Sequence, residues 1–385
     1  MSNYFSRYAE PEVDALTTWP DNRKYQQVIC IPAYNENFDF IKRLIDLCQK
    51  KNDHVLCILV INQPDTELDS FSQINLLHFL QGFNCPWQNK NLYLFNLIKQ
   101  LDILAVERFF YGNRIPIKLG VGLARKIAAD LASYLISHNK VDSDQLFMSD
   151  ADAYLPVTYF ESEIPTNKSA ITFPYTYLEK DCSQTYAASV AYQLSINHYV
   201  EQLKKAGSPY AFSTLGSCIA VNYQYYIKVR GVPKRAAAED FYLLNKLNKL
   251  AEVHPLKAPL IKLEARISNR VPFGTGPAVE AILNKRKPLS AFYFSNQAYK
   301  LLAIWIQFLE YIATTGTLEN IDTFFLADRY LGVNESIDLI VNKHFAANSA
   351  IIKILNNHHT KSKRLRALHE WFDALKTLRF IKLFN

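Results

Sequence analysis

Two aspartates stand at the end of an apolar run in the segment LFMSDADAYLP, residues 146–156. One small residue separates Asp150 from Asp152, so on a turn both side chains can face the same point. Carboxylates are costly to desolvate unless they lie at an open edge or bind a cation, and hard divalent cations prefer such oxygen ligands. The pair therefore indicates either a solvated surface turn or a site where Mg²⁺ or Mn²⁺ bridges a diphosphate.

A second acidic pair, Glu239 and Asp240, stands at the start of the amphipathic segment EDFYLLNKLNKL. Acidic residues favour the first turn of a helix because of the helix dipole, so the pair is explained by a plain helix start. The functional alternative is that one carboxylate acts as a general base and deprotonates an acceptor hydroxyl. The residues alone leave both interpretations open.

Two basic segments are candidates for binding an anion. GVGLAR (120–125) contains Gly122 and Arg125 but is neither a full glycine-rich phosphate loop nor a Walker motif. A helix start packed close to the sheet, with Arg125 directed at an anionic ligand, is its plainer interpretation. In RISNRVPFGTG (266–276), Arg266 and Arg270 either clamp a phosphate or an anionic acceptor, or are surface charges.

The elements that position these residues follow a regular alternation of apolar strands and amphipathic helices. Such alternation predicts an α/β fold with a doubly wound, mostly parallel sheet covered by helices on both faces. The predicted strands are QQVICIP, VLCILVIN, NLYLFNLI and QLFMS, and the predicted helices span 36–50, 69–80 and 120–138. Ligands bind such sheets outside the carboxyl ends of the strands. Pro32–Glu36, Asn62 and the aspartate pair all follow strands, so we expect them to share one rim.

The second half of the chain is predicted to add fewer strands and more helices. AITFPYTY (170–177) is typical of a strand, a long helix is expected over 184–205, and the last hundred residues have mainly helical patterns. We therefore predict an N-terminal extension, a domain of two halves that holds the candidate catalytic residues, and a helical C-terminal region. Their predicted bounds are 1–24, 25–285 (halves 25–155 and 156–285) and 286–385.

Composition and charge exclude several classes of protein. The 385 residues carry a formal charge of +7. Residues 351–385 hold eight Lys or Arg against two Asp or Glu, a net of +6, so the remainder is nearly neutral. A nucleic-acid-binding protein with a broad basic face is not expected. No secretory signal or membrane span is recognised, so a cytoplasmic location is predicted. The cysteines lack C-x-x-C spacing and are expected to be free thiols: Cys30, Cys48, Cys57, Cys85, Cys182 and Cys218.

The basic C-terminal segment has its apolar residues at helical spacing. Such a helix either lies on the anionic inner face of a membrane or docks on the catalytic domain with its charges in water. Docking is the favoured interpretation. The apolar positions are Leu365, Leu368, Phe372, Leu375 and Leu378, and the basic ones include Lys361, Lys363, Arg364, Arg366, Lys376 and Arg379.

In their fixed order, the motifs PAYNE, GLAR, SDAD and GVP followed by EDF resemble those of the family-2 glycosyltransferases with the GT-A fold. The resemblance covers roughly residues 26–280. It implies a Rossmann-like GT-A sheet and a hexosyltransferase activity that moves a sugar from a nucleoside-diphosphate donor to an acceptor hydroxyl in polysaccharide, glycolipid or other glycoconjugate synthesis. The donor sugar, acceptor, stereochemistry and oligomeric state stay open.

The family's functional positions carry over to particular residues. The resemblance implies that Asp150 and Asp152 bind the donor diphosphate through Mg²⁺ or Mn²⁺, with Asp152 as the direct ligand. Asp240, beside Glu239, matches the position where inverting members keep their base. The nucleotide-sugar segment and the arginine of the preceding helix match Pro32, Ala33, Tyr34, Glu36 and Arg125.

Two positions depart from the family pattern. Asn62 stands where the family usually has an aspartate that reads the nucleotide base, so the base is not specified. His254 follows the acidic helix where some GT-A enzymes have an additional metal ligand, although a single histidine is more often structural. Two rival functions remain. A sugar-phosphate nucleotidyltransferase would have a glycine-rich loop where PAYNEN stands, and an inactive nucleotide-sugar-binding or scaffold protein would not need Asp152.

Overall fold

The structure is a computed structural model that describes residues 3–179, 184–267, 274–318 and 337–385. The chain forms two compact units, each with its own apolar core. The first unit comprises Met1–Val190 and Thr214–Arg286, and the second comprises Ala191–Ser213 and Lys287–Asn385. The domain bounds inferred from the sequence remain predictions.

The first unit is built on β-strands that form one large and one small sheet. The strands are β1 (Gln27–Ala33), β2 (Val55–Asn62), β3 (Asn84–Asn89), β4 (Leu92–Ile98), β5 (Leu101–Arg108), β6 (Gln145–Met148), β7 (Ala153–Tyr154), β8 (Ala170–Thr172), β9 (Tyr175–Leu178), β10 (Ile219–Asn222), β11 (Val253–Pro255) and β12 (Ile261–Glu264). Within the described residues the large sheet has the order β11-β8-β10-β6-β1-β2-β5-β4-β3, and the small one β7-β12-β9.

The centre of the large sheet is parallel. Strand β1 lies between β2 and β6, and β2 continues to β5, all in parallel register. Antiparallel pairs follow on both sides, β6 with β10 and β5 with β4. The prediction of a mixed α/β fold with a large, mostly parallel sheet is therefore confirmed, whereas the assignment to GT-A in particular remains a prediction.

Helices cover both faces of this sheet. The helices of this unit are α1 (Tyr4–Arg7), α2 (Asp39–Cys48), α3 (Phe71–Gln81), α4 (Gly120–Ser137), α6 (Tyr223–Lys228), α7 (Glu239–Leu250) and α8 (Thr275–Leu283), whereas α5 (Gln184–Lys205) begins in this unit and continues into the second. On one face Ile29 and Ile31 of β1 share an apolar cluster with Leu44 of α2 and Leu76 of α3. Helix α4 contacts β1, β2 and β6 from the other face. This arrangement places the start of α4 beside the carboxyl ends of the central strands.

The N-terminal residues are tied to α4 by a buried carboxylate. The carboxylate of Asp130 accepts hydrogen bonds from the hydroxyls of Tyr4 at 2.6 Å and Tyr226 at 2.7 Å. It also accepts from Lys126 Nζ and from the backbone N–H of Glu10, both at 2.8 Å. Burial raises the pKa of Asp130, and these donors oppose the rise. The network therefore fixes α4 at its middle, away from the strand ends.

The second unit is helical, and its C-terminal segment forms two helices instead of one. Its further helices are α9 (Asn296–Thr315), α10 (Ile337–Phe345), α11 (Ala347–Asn357), α12 (Lys361–Trp371) and α13 (Ala374–Leu383). Asp373 separates the last two, because its side chain caps α13 by accepting from Lys376 N. Leu368 and Phe372 are buried in the core that contains Trp305 of α9. The apolar stripe thus docks within the second unit, and membrane contact remains a prediction.

Two further expectations bear on environment. In the described part of the chain, the free cysteines are Cys30, Cys48, Cys57 and Cys218, all buried, and the exposed Cys85. Cys182 lies outside the described residues. No helix in the described ranges combines the length and apolarity needed to span a membrane.

Candidate functional site

The carboxyl ends of β2, β1 and β6 bring the predicted segments to one rim. Ser149 extends the pairing of β6 with β1, because its N–H donates to Cys30 O at 3.1 Å. The chain then turns, with Ala153 N donating to Asp150 O at 3.1 Å, and enters β7. Ser149 is fully buried, whereas the carboxylates of Asp150 and Asp152 are 31% and 19% exposed. Both aspartates therefore lie at an open edge, as the topology predicts.

Arg125 of α4 is buried and links three of the functional segments. Its Nη2 donates to Asp150 Oδ1 at 2.6 Å, its Nε to Glu239 Oε1 at 2.9 Å and its Nη1 to Gly216 O at 3.1 Å. Burial alone would lower the pKa of Arg125, but the charges of Asp150, Glu239 and Asp240 raise it above its ordinary value. The guanidinium is thus a permanent cation that fixes one aspartate of the pair.

Gly216 is the residue that lets the guanidinium lie this close to the loop before β10. A Cβ on Gly216 would stand 2.8 Å from Arg125 Nη2 and 2.9 Å from its Cζ. Its N–H donates to Asp240 Oδ2 at 2.8 Å. The sequence interpretation did not identify Gly216. The available signal was its place in STLGSC, immediately before an apolar strand.

Asp240 has the properties of a base that works near neutral pH. It lies in the first turn of α7, which begins after Ala238 in the left-handed conformation. Its carboxylate accepts from the N–H groups of Gly216 at 2.8 Å and Phe241 at 2.7 Å. Burial, reinforced by the charge of Glu239, raises the pKa of Asp240 to about 7. A plain helix start in water would not have this pKa, because desolvation disfavours the charged form of a carboxyl group.

Glu239 has a different environment from its neighbour. Burial raises its pKa, and the ion pair with Arg125 opposes that rise. Its side chain is only 6% exposed. Glu239 is thus placed to hold Arg125, while Asp240 is held by backbone N–H groups.

Asp152 is paired with an arginine from a distant segment. Arg266 Nη2 lies 3.0 Å from Asp152 Oδ2 and 2.8 Å from Glu36 Oε1. Arg266 Nη1 donates to Glu36 Oε2 at 3.1 Å. The structure thus brings together Glu36 after β1, Asp152 after β6 and Arg266 after β12. Arg270, the other predicted clamp, lies outside the described residues.

Arg43 of α2 binds the turn that carries Asp150 and Asp152. The sequence interpretation did not identify this residue. Its Nη2 donates to Ala151 O at 2.6 Å, and its guanidinium lies 4.2 Å from the centre of the Tyr154 ring. A cavity of about 200 Å³ lies beside it, lined mainly by apolar residues of α2 and of segment 149–157. The available signal was a cation within the apolar face of an amphipathic helix, between Phe40 and Leu44.

The remaining residues of the predicted nucleotide segment lie in or beside β1 and β2. Pro32 and Ala33 are buried in β1, and Tyr34 is partly exposed at its end. Asn62 is buried at the end of β2, and its amide, oriented to donate, reaches Ala33 O at 3.3 Å. Asn62 therefore joins the two strand ends, which is a structural role compatible with a place on the rim.

His254 is not brought to the aspartates. It lies on β11, which β8 and β10 separate from β6. Three strand spacings amount to about 14 Å. Within the described residues, no three His, Cys, Asp or Glu side chains are grouped so as to hold a metal. The expectation that His254 is an additional metal ligand is therefore not supported by its position, because metal–nitrogen bonds need about 2 Å.

Other protein atoms fill the space into which a side chain at Gly122 would project. A Cβ there would stand 2.5 Å from Pro233 O and 2.6 Å from Arg235 N. Its N–H donates to Arg235 O at 3.0 Å. This contact gives the glycine a packing role between α4 and the loop before α7, and it supports the plainer of the two sequence interpretations.

We expect Gly122→Ala to lower the free energy of unfolding by about 1–3 kcal/mol, because the backbone of the loop must move. Gly82→Ala is the matched control, since Gly82 has an ordinary helical φ of −70° and its Cβ would lie 3.3 Å from Phe79 O. Urea unfolding of both variants measures the difference. Equal stability of the two variants would show that the loop adapts without strain.

Comparisons with known proteins add little to this geometry. No protein-family model matches the chain, and no curated protein matches it. Among solved structures, the mannosyltransferase PcManGT from Pyrobaculum calidifontis in complex with GDP-Man and Mn²⁺ is similar over 95% of this chain and 92% of that chain. The identity is 12% and the TM-score 0.36, which is too low to carry an argument about fold or activity.

Proposed function

We propose that this protein is a glycosyltransferase that moves a sugar from a nucleoside-diphosphate sugar to an acceptor hydroxyl. One observation carries the proposal. A carboxylate with a pKa of about 7, Asp240, lies on the same Arg125-centred network as Asp150, which stands at the carboxyl end of β6. A base poised near neutral pH beside acidic residues at a strand edge suits proton removal from a hydroxyl next to a bound diphosphate.

In the proposed reaction Asp240 takes the proton of the acceptor hydroxyl. The acceptor oxygen forms a bond to the anomeric carbon of the donor sugar, and the bond from that carbon to the diphosphate oxygen breaks. The electron pair leaves with the nucleoside diphosphate. Displacement from the opposite face inverts the anomeric centre, which is the stereochemistry we propose. Arg125 keeps Asp150 in place by the 2.6 Å contact.

Asp152 and Asp150 are the residues that would hold Mg²⁺ or Mn²⁺. Their carboxylates are partly exposed, whereas Ala151 between them is buried. Two carboxylates suit such an ion when substrate phosphates and water complete its coordination. When bound, the ion would neutralise charge that develops on the departing diphosphate. Asp152 is proposed as the direct ligand, because Arg125 binds Asp150 at 2.6 Å, whereas Arg266 binds Asp152 at 3.0 Å and has Glu36 as a second partner.

A catalytically inactive nucleotide-sugar-binding or scaffold protein is the alternative. It would use the same rim without proton transfer, so it would have no need for a carboxylate with a raised pKa. The environment of Asp240 therefore favours the enzyme.

The test is a screen of common nucleotide sugars for donor hydrolysis and binding with Mg²⁺ and with Mn²⁺. We expect turnover of at least one donor, and we expect Asp152→Asn to lower its metal-dependent part by at least about 10–100-fold. Asp39→Asn makes the same change at an exposed helix start and should leave turnover unaltered.

Binding of a donor without turnover, unaffected by Asp152→Asn, would support the scaffold protein instead. Neither binding nor turnover with any donor would remove the proposed activity.

A further inference from the structure

The contact of Arg266 with Asp152 is built into the backbone of the first unit. Strand β12 pairs antiparallel with β7, with Lys262 opposite Tyr154. The N–H of Glu264 donates to the carbonyl of Asp152 itself at 3.2 Å. Arg266 follows two residues later. The pairing therefore places the side chain of Arg266 beside the turn that carries Asp150 and Asp152, here called the aspartate turn.

The guanidinium makes unequal contacts with its two partners. Its Nη2 and Nη1 bind the two carboxylate oxygens of Glu36, at 2.8 and 3.1 Å. Asp152 is bound by Nη2 alone, at 3.0 Å. Bidentate pairs between arginine and a carboxylate are the stronger and more directional kind. If Asp152 changed partner, Arg266 would thus remain anchored on Glu36.

The positive charge of Arg266 opposes the binding of a second cation at Asp152. An arginine cannot be deprotonated in a protein, so its charge is not removed when another cation approaches. Two like charges a few ångströms apart repel at an effective dielectric constant of about 20 by several kcal/mol. Arg266 itself therefore already supplies a positive charge to the aspartate turn.

We propose that Arg266 is a built-in counter-ion that competes with the divalent metal for Asp152. The inference rests on the proposed function, which assigns the metal to this aspartate. Arg266 neutralises the aspartate turn while no metal is bound, and the metal must replace the 3.0 Å contact in order to bind. Arg125 binds the other aspartate, Asp150, at 2.6 Å, so it does not occupy the carboxylate to which the metal is assigned.

The experiment measures Mn²⁺ binding to the full chain without any nucleotide, from the electron paramagnetic resonance signal of free Mn²⁺. We expect Arg266→Gln to lower the Kd for Mn²⁺ by about tenfold or more. Arg286→Gln is the matched control, because Arg286 is an exposed arginine that also lies near a carboxylate, 3.6 Å from Glu280 Oε1. It should leave the Kd within about twofold.

Further variants separate competition from other effects. Arg266→Lys keeps the charge and should bind Mn²⁺ more weakly than Arg266→Gln. The double variant Arg266→Gln, Asp152→Asn should lose the tighter Mn²⁺ binding of Arg266→Gln, because that binding requires the Asp152 carboxylate. Arg266→Met retains the aliphatic stem and replaces the glutamine variant if circular dichroism shows that the latter is unfolded.

An unchanged or higher Kd in the glutamine variant, or no Mn²⁺ binding by any of the proteins, would overturn the counter-ion. These outcomes are distinct from failure of the proposed function. Tighter Mn²⁺ binding with no donor turnover would remove only the glycosyl transfer, whereas donor turnover with unchanged Mn²⁺ binding would remove only the counter-ion.

Discussion

Replacing Asp240 with asparagine is expected to lower kcat by about 10²–10⁴-fold with the donor that the screen identifies, the usual contribution of a general base. Asparagine has nearly the same shape as aspartate. The N–H of Gly216, which donates to the wild-type carboxylate at 2.8 Å, can donate to the asparagine oxygen instead. Asparagine cannot take a proton at neutral pH. The donor Kd should therefore stay unchanged, which separates loss of chemistry from loss of binding.

The pH profile gives this prediction a second readout. Because the pKa of Asp240 is raised to about 7, the wild-type kcat should rise with pH through that value as the base loses its proton. The residual rate of Asp240→Asn should lack this rise. Asp39→Asn, the same change at an exposed helix start, should keep the wild-type profile. A full rate in Asp240→Asn, or a profile that retains its rise, would exclude Asp240 as the base.

The same carboxylate should weaken the folded state at high pH. Its pKa is higher in the folded chain, about 7, than its ordinary value of 3.8, so folding favours the protonated form. The stabilisation by the bound proton is fully present below about pH 4 and is lost as the pH rises through about 7. Asp240→Asn should accordingly gain stability over the wild type between pH 5 and pH 8, measured as thermal midpoints.

The central strands of the sheet were predictable from their apolar residues, with the exception of β5. QVICIPA and VLCILVIN are buried at nearly every position, and continuous apolar runs of this kind are typical of central parallel strands. No strand was predicted over residues 101–108, although β5 pairs with β2 along its whole length. Strand β5 contains Asp102, which forms an ion pair with Arg23 and accepts a hydrogen bond from the hydroxyl of Tyr25, both distant in sequence.

The segment AITFPYTY shows how one residue can redirect a strand. It was predicted as one strand and forms two, β8 in the large sheet and β9 in the small one. Pro174 lies between them and has no N–H to donate to a ladder. The division matters for the site, because β9 and β7 flank β12, the strand that delivers Arg266.

The rim followed from topology, whereas the partners of its charges did not. Parallel strands end at one edge, so Asp150 and Glu36 were expected to be neighbours. The pairing of Glu36 with Arg266 joins residues 230 positions apart and depends on where β12 lies. The pKa of Asp240 depends on burial and on Glu239 together. A sequence motif specifies neither quantity.

Arg125→Met is expected to lower the free energy of unfolding by about 3–5 kcal/mol, the range seen when one partner of a buried ion pair is removed. Arg125 and Glu239 are each only 6% exposed at the side chain, so methionine would leave a buried carboxylate without its cation. Asp150, at 31% exposure, can recover hydration and should contribute less. Urea unfolding measures the change.

The double variant Arg125→Met, Glu239→Gln tests whether the lost charge pair is the cause. It removes both buried charges, so its stability should lie closer to the wild type than that of Arg125→Met alone. Arg125→Lys should not restore the wild-type stability, since one ammonium cannot reproduce three divergent contacts to Asp150, Glu239 and Gly216. If the double variant is less stable than Arg125→Met by the full effect of Glu239→Gln, the two side chains are not coupled. The loss of stability in Arg125→Met would then come from packing or from the contacts with Asp150 and Gly216, and not from the ion pair with Glu239.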